Sequence, residues 1–531
     1  MNSSLRHLSF VLGLAIVGIA QAHDTDSQSG PLGKVSFPTS CSPKVQAQFE
    51  RAVAMLHSFW YSAGEQAFRE VLKDDPQCAI ADWGIASLLM VNPLAGQGAS
   101  PKGAEQAQAA LDAGRRLPIG TERERDYLDA VAAYYRDFAT RSERERQISR
   151  AQAYEALARK YPNDDEAQIF AALYVAGTQT QADQTYAAYL KAAAVLEAQF
   201  QKYPDHPGVA HYLIHSYDAP PIADKGLTAA RKYAGIAPAA PHALHMPSHI
   251  FTRVGAWQES AGTNARSKEV AKAGNEPDEA YHATDYMVYA YLQLGRDAEA
   301  QRSIDDTMKI SGTNPARFTA PYAIAAMPAR YAFERGAWEE ATKLQPLGST
   351  YPFVEAITYF ARSVAAARSG DLAAARKDAA QLETLHKALL DAKNTYWATE
   401  VEVQRLAAAG WIALGEGKKD EALKFMRAAA DLEDKNEKHI VTPGRIVPAR
   451  ELLGDMLLEM KQPKAALAEF EASQQREPNR YRNYAGAARA AELSGDRVKA
   501  AAYYQKLLAL AKDADTPRPE LASAKQFASS K

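Results

Sequence analysis

Between about residues 43 and 512 the apolar positions recur three and four residues apart, with no long alternating stretch, so the pattern predicts helices and not strands. Alanine is frequent and β-branched residues are sparse over the same span, which also favours helix. The helices are periodic. Leu453, Gly454, Leu457, Ala466, Phe470 and Pro478 mark one unit. One period of 34 residues further on, Ala487, Ala488, Ala491, Ala500 and Tyr504 keep the small or apolar character. Upstream, Ala52, Phe68 and Pro76 fall at matching places, as do Gly410 and Ala422 in a unit that starts at 403, and Pro207 to Pro238 is another clean unit. Tyr161-Pro162-Asn163-Asp164 and Tyr203-Pro204-Asp205 read as helix breaks.

This pattern resembles the tetratricopeptide repeat: two antiparallel helices, small residues where their axes cross closely, and a proline that closes the unit. The resemblance implies an all-α chain, a right-handed α-solenoid of tetratricopeptide-like helix pairs. It covers about residues 43–512, most clearly 207–310 and 447–514. The expected organisation is an extended N-terminal arm over 23–42, helical repeats over 43–434, a loop at 435–446 around Thr442-Pro443-Gly444, two C-terminal repeats over 447–514 and a polar, frayed tail over 515–531.

Residues 1–22 read as a signal peptide. Arg6 supplies a positive n-region, Phe10 to Ala20 is apolar, and Ala20-Gln21-Ala22 is an A-x-A cleavage site; an uncleaved anchor is the alternative. The expected location is therefore periplasmic or secreted, and no membrane span is expected in the mature chain. In such an oxidising compartment the two cysteines, Cys41 and Cys78, are expected to pair, with two separate thiols the alternative. By loop entropy the bond would add about 3–4 kcal/mol. Lysine and arginine number 62 against 64 acidic residues, a net charge of −2 without large blocks of either sign, so no nucleic-acid footprint is present. Neither a Walker A loop nor a G-x-G-x-x-G, H-E-x-x-H or G-x-S-x-G motif occurs.

The chemistry of interest lies in the histidines. Seven of the 12 fall between His206 and His282, where even spacing would place about two. His211 and His215 are four apart, His245 and His249 are four apart, and the two pairs are one 34-residue period apart. In tetratricopeptide proteins the second, fifth, ninth, twelfth and thirteenth positions of each first helix line the concave groove. Carried over, that places Gly208, His211, His215, Asp218 and Ala219 of one unit in a groove spanning 206–289. The next unit adds His242, His245, His249, Thr252 and Arg253, and the one registered at 281 adds His282, Asp285, Tyr289, Leu292 and Gln293. The eleventh position, on the packing face, is aromatic each time: Tyr217, Phe251 and Tyr291. His57, at the thirteenth position of the first unit, also points to the groove, although a surface or core role is the better expectation. His206 reads as a cap, and His386 and His439 as solvated.

Imidazoles at i and i+4 can reach one ion, and pairs on neighbouring parallel helices can converge. Neutral imidazole suits zinc, copper, iron or nickel, and a carboxylate such as Asp285 or Asp218 would bias the site toward zinc, iron or manganese. The expected site is one divalent transition metal (zinc, copper, iron or manganese) on His211, His215, His245 and His249, completed or flanked by His282 or Asp285, with His242 beside it. Whether the ion is catalytic turns on an open coordination position. Pro247 either starts the helix, leaving His242 and His245 on a loop, or kinks it. His242-Ala243-Leu244-His245-Met246-Pro247-Ser248-His249-Ile250-Phe251 resembles a family of exported bacterial tetratricopeptide proteins without an established activity. Leu56-His57-Ser58-Phe59 and Asp75-Pro76-Gln77-Cys78 resemble it too. Two other readings stand beside the metal: a scaffold that binds a protein or peptide in the groove, with histidines as pH-sensitive donors, and a metal-free small-molecule pocket.

Overall fold

The computed structural model describes residues 30–118 and 120–529, so the expected signal peptide lies outside the described residues. Among the described residues there is no strand; antiparallel helix pairs follow one another from Gln46–His57 and Tyr61–Asp74 to Tyr481–Leu493 and Arg497–Leu510. The fold is an all-α helical repeat. Within many pairs the turn is made by one residue in the left-handed region. Gly255, before the helix Trp257–Ala273, and Gly295, after the helix Pro277–Gln293, do this at φ +70°, where a missing Cβ avoids strain. The small positions serve close packing: a Cβ on Gly454 would meet the Phe470 ring at 2.7 Å and one on Gly486 would meet it at 2.3 Å. Many helix starts carry their own signal, such as the reciprocal Ser142–Glu145 capping box before Glu143–Lys160.

The arm is extended from 30 to 39 and lies along the repeats; Lys34 N–H donates to Asp205 O (3.0 Å), and Phe37 is buried against Phe49, Trp83 and Tyr127. Cys41 and Cys78 are disulfide-bonded and tie the end of the arm to the start of the second helix pair, Ile80–Leu89 and Pro101–Arg116.

The chain then folds back on itself. Trp60 Nε1–H donates to Glu276 (3.2 Å), Trp257 Nε1–H to the Asn479 carbonyl (2.6 Å) and Glu437 N–H to the Gln181 carbonyl (2.8 Å). The histidine-bearing repeats therefore have the first pair on one side and the C-terminal repeats on the other. One expectation is corrected here. The tail from 515 is not frayed: it forms the helix Pro519–Ser529, and Arg518 is buried in an ion pair with Asp297 that also engages Thr516 and the Leu292 and Glu334 carbonyls. Among the described residues Asp297 is ion-paired with Arg518 alone, so removing Arg518 leaves a buried carboxylate with the Thr516 hydroxyl as its side-chain donor. Arg518→Met is expected to lower stability by about 3–5 kcal/mol in urea unfolding; a midpoint equal to the parent's would mean that the tail helix is not docked.

Candidate metal centre

Three helices build the site. Pro207–Ser216 begins with proline at its first position, where the absent N–H is not missed, and His206 caps it by accepting from Val209 N–H (3.3 Å). The next is interrupted at Pro247 but not ended. Met246 keeps helical angles (φ −53°, ψ −36°), so Pro241–His245 and Pro247–Val254 run on as one kinked helix. His242, His245 and His249 thus stay on helix and not on an entering loop. The third helix is Pro277–Gln293.

These helices bring six histidines together, all buried, as two trios. Ligand nitrogens of His211, His215 and His242 lie within 4.8 Å of one another, and so do those of His245, His249 and His282. The structure divides the expected quartet between neighbouring sets. Each trio has the same construction: the fifth and ninth positions of one repeat and the second position of the next. The trios touch, with ring centroids 5.6 Å apart for His215–His249 and 5.8 Å for His242–His245.

The hydrogen bonds fix which ring nitrogen carries the proton. His211 Nδ1–H donates to the His57 carbonyl (2.7 Å), His249 Nδ1–H to Asp218 Oδ2 (2.9 Å) and His245 Nδ1–H to Asn264 Oδ1 (2.7 Å). All three acceptors are unable to donate; the Asn264 amide end is already committed to the Ser260 carbonyl (2.8 Å). In their neutral forms these histidines therefore present bare Nε2 lone pairs. Yet His245 Nε2 faces His249 Nε2 at 3.0 Å, and His211 Nε2 faces His215 Nε2 at 3.1 Å. His215 could supply a proton through its own Nε2, leaving its unpartnered Nδ1 bare. The His245–His249 pair has no such outlet. The Tyr286 hydroxyl, 3.3 Å from His249 Nε2, has one proton, which the Thr442 carbonyl also accepts at 3.0 Å.

Protonating a ring would provide the missing hydrogen, but burial opposes it. Burial and then repulsion from neighbouring histidines push His211, His215 and His245 well below the usual imidazole range. Burial takes His249 down to about 4 although Asp218 pulls it up, and takes His282 to about 3 although Glu279 pulls it up. His242 Nδ1 faces Glu279 Oε2 at 3.4 Å while its Nε2 has no partner. Burial would raise the Glu279 carboxyl; His242, His282 and Arg317 outweigh it and hold it at about 2.

Several expected residues take other parts. Asp285 is in neither trio: it is ion-paired with buried Arg330, which lies outside the repeat pattern that nominated it. Asp218 is an orienting carboxylate, since its oxygens accept from His249, Arg253 (2.8 Å) and Lys438 (3.3 Å). Burial would raise it, but Lys438 and Arg253 keep it well below the usual range. Arg253 also reaches Glu437 (3.3 Å), and Tyr289 donates to Glu477 (3.2 Å). His57 is buried with Glu166 and His206. That group is saturated. His206 Nδ1 accepts from Val209, so its Nε2–H donates to Glu166 (2.9 Å), and His57 is shared between Glu166 (2.9 Å) and the Tyr212 hydroxyl (2.9 Å). His439, expected to be solvated, is buried: its ring stacks on Trp397 at 4.9 Å and its Nδ1 accepts from Val441 N–H. His386 is half-buried, 3.7 Å from Glu402.

The concave face is not an open groove. Segment 435–446 fills it, with Lys438 on Asp218, the Thr442 carbonyl on Tyr286 and the Gly444 carbonyl on Arg330 (3.3 Å). Asn264, Glu279, Tyr286 and Lys438 were not nominated from sequence. Glu279 lies one helical turn before His282 and could have been found; Asn264 and Lys438 meet the site only through tertiary folding.

No protein-family model and no curated protein matches the chain. Among solved structures it is similar to the APC/C hetero-tetramer Cut9–Hcn1, at 12% identity over 91% of this chain and 96% of that chain with a TM-score of 0.30. It is also similar to the human IFIT1 dimer with PPP-AAAA, at 12% identity over 77% of this chain and 87% of that chain with a TM-score of 0.36. Likeness at this level carries nothing about ligand or partner, and the repeat fold rests on the helix pairs themselves.

A Cβ on Gly208 would meet His57 Nδ1 at 2.3 Å. Gly208→Ala is therefore expected to displace His57, and with it the carbonyl that holds His211, at a cost of about 1–3 kcal/mol. Chemical unfolding reads the cost, and an unchanged midpoint would show that the His57 shell is loose.

Proposed function

We propose that this is a transition-metal-binding helical-repeat protein that holds one ion on each histidine trio. The observation that carries the reading is the His245–His249 pair, whose Nε2 atoms face each other at 3.0 Å while both Nδ1 protons are committed elsewhere. Two bare lone pairs at that distance repel, and a cation between them turns the repulsion into two bonds. With metal–nitrogen bonds of about 2.0–2.1 Å, neighbouring ligands of one ion stand about 3 Å apart, the spacing of both Nε2 pairs. The Nδ1 partners fit the same reading, because a ligating histidine commonly donates its other ring proton to a carboxylate, amide or carbonyl that fixes its orientation. Three protein ligands per trio leave a further coordination position free for water or substrate. A peptide-binding groove is less well supported, since segment 435–446 occupies that face.

The signal-like start of the chain and the Cys41–Cys78 bond fit an exported protein. The resemblance of His242–Phe251 to an exported bacterial tetratricopeptide family belongs to the same proposal.

Elemental analysis of untagged, natively purified protein is the test. Two ions per chain are expected, falling to one in His245→Ala/His249→Ala with helicity retained by circular dichroism. A chain that takes up no metal from zinc, copper, iron or manganese would remove the proposal. Asn264→Ala frees the His245 ring to turn or change tautomer and is expected to weaken one of the two sites about 10–100-fold in a chelator competition; equal retention of both ions would show that Asn264 does not orient His245.

A further inference from the structure

We infer that both trios hold copper, and that the two ions act as one pair that passes two electrons to dioxygen. This rests on the metal reading above and goes further in naming the metal, the oxidant and the joint action.

The donor sets narrow the metal first. All six candidate ligands are imidazoles, and no carboxylate belongs to either trio. Manganese, magnesium and calcium favour carboxylate and water oxygens, and open ferrous sites usually pair two histidines with a carboxylate, so zinc, copper and nickel remain. Charge narrows it further. Two divalent ions on neutral ligands bring four positive charges into a buried space, and the cost of burying charge rises steeply with its size. The surrounding anions are nearly all spoken for: Asp218 by Arg253 and Lys438, Glu437 by Arg253 and Arg476, Asp285 by Arg330. Glu279, beside the trios, faces His242 at 3.4 Å and has Arg317 as a nearby cation. Two monovalent copper ions halve the charge in the reduced state, from which oxidation by dioxygen returns the pair to four charges. Zinc could lower its own charge by binding hydroxide, but the rings packed on the trios are aromatic. Phe59 lies 4.4 Å from His211, Tyr233 stacks on His211 at 5.2 Å, and Tyr286 lies 4.6 Å from His245. The Phe59 and Tyr233 rings give the first trio an apolar wall that suits a small neutral diatomic, whereas at the second trio the Tyr286 hydroxyl faces His249 Nε2 at 3.3 Å.

The arrangement also suits a pair. Each copper(I) gives up one electron, whereas dioxygen must take two to reach hydrogen peroxide without releasing superoxide. The balance is two copper(I), one dioxygen and two protons to two copper(II) and one hydrogen peroxide. Two equivalent trios with rings 5.6 and 5.8 Å apart place the two one-electron donors side by side. Phe59, the left-handed turn residue (φ +51°) between the helices Gln46–His57 and Tyr61–Asp74, packs its ring against both His211 and His242 and covers the first trio.

The test uses the full mature chain. Metal-free protein is loaded anaerobically with copper(I), or with an equimolar copper(I) and zinc mixture, desalted, and mixed with oxygenated buffer. The expected result is two coppers per chain, preference for copper in the mixture, one dioxygen consumed and one hydrogen peroxide released per chain. His282→Ala and the milder His282→Gln should each retain one copper and lose peroxide formation by about tenfold or more, not by half. Zinc retained in place of copper, copper that does not consume dioxygen, or activity that merely halves in the single-trio variants would each overturn the inference while leaving metal binding intact. A chain that binds neither metal would overturn both.

Discussion

Two bare imidazole nitrogens 3.0 Å apart in a buried interior are the constraint on which the rest of the site depends. Either nitrogen could be relieved by a proton, and the fold withholds it in two ways. Burial makes the charged ring costly. The acceptors on the opposite nitrogens then fix the neutral tautomer: an amide oxygen whose amide end is engaged, and a carboxylate held ionised by Arg253 and Lys438. These partners come from different parts of the chain, so the tautomer is a property of the tertiary structure and not of the helix that carries the histidines.

The repeat explains why there are two such places. In a stack of helix pairs, positions five and nine of one first helix face position two of the next, because neighbouring first helices lie parallel and offset. Repeating histidine at all three places over successive units makes two copies of one site across two helix boundaries. The series ends for a visible reason. The next unit has Asp285 and Tyr289 at positions five and nine; Arg330 pairs with Asp285, while Tyr289 lies under Arg330 and Arg480 and donates to Glu477. On the other side Gly208 occupies position two, and a side chain there would strike His57. A periodic scaffold thus carries a bounded site because the residue types change at its edges.

This also marks what the sequence could show. Helix pairs, their turns at Gly255 and Gly295 and the small packing positions Gly454 and Gly410 follow from local spacing, and local spacing is what a sequence displays. The two four-residue histidine spacings were legible for the same reason. Their division into trios was not, since whether His242 turns to His211 or to His245 depends on the offset between helices and on how Pro247 bends one of them. The burial of His439 and the docking of the helix Pro519–Ser529 were hidden because both result from segments that meet across roughly 120 to 220 residues of chain. Composition alone gave the tail a polar, frayed appearance; the Arg518–Asp297 ion pair, the carbonyls around it and the burial of Leu521 and Ala524 dock it.

Segment 435–446 carries the argument one step further. In an open solenoid the inner face meets solvent or a partner, but here the chain supplies its own filling, and that filling is charged. Lys438 enters an apolar neighbourhood where burial pulls its ammonium down to about 8, and Asp218 is what keeps it charged at neutral pH. The Asp218 oxygen that Lys438 reaches at 3.3 Å is the one that accepts from His249 Nδ1 at 2.9 Å. One atom therefore anchors the plug and sets the tautomer of a candidate ligand. Withdrawing the segment removes a cation from Asp218, makes that oxygen a stronger acceptor for His249, and admits water to the trios at the same time. Closure of the fold and the tautomer of His249 are therefore linked through one carboxylate oxygen, although Lys438 and His249 stand nearly two hundred residues apart in the chain.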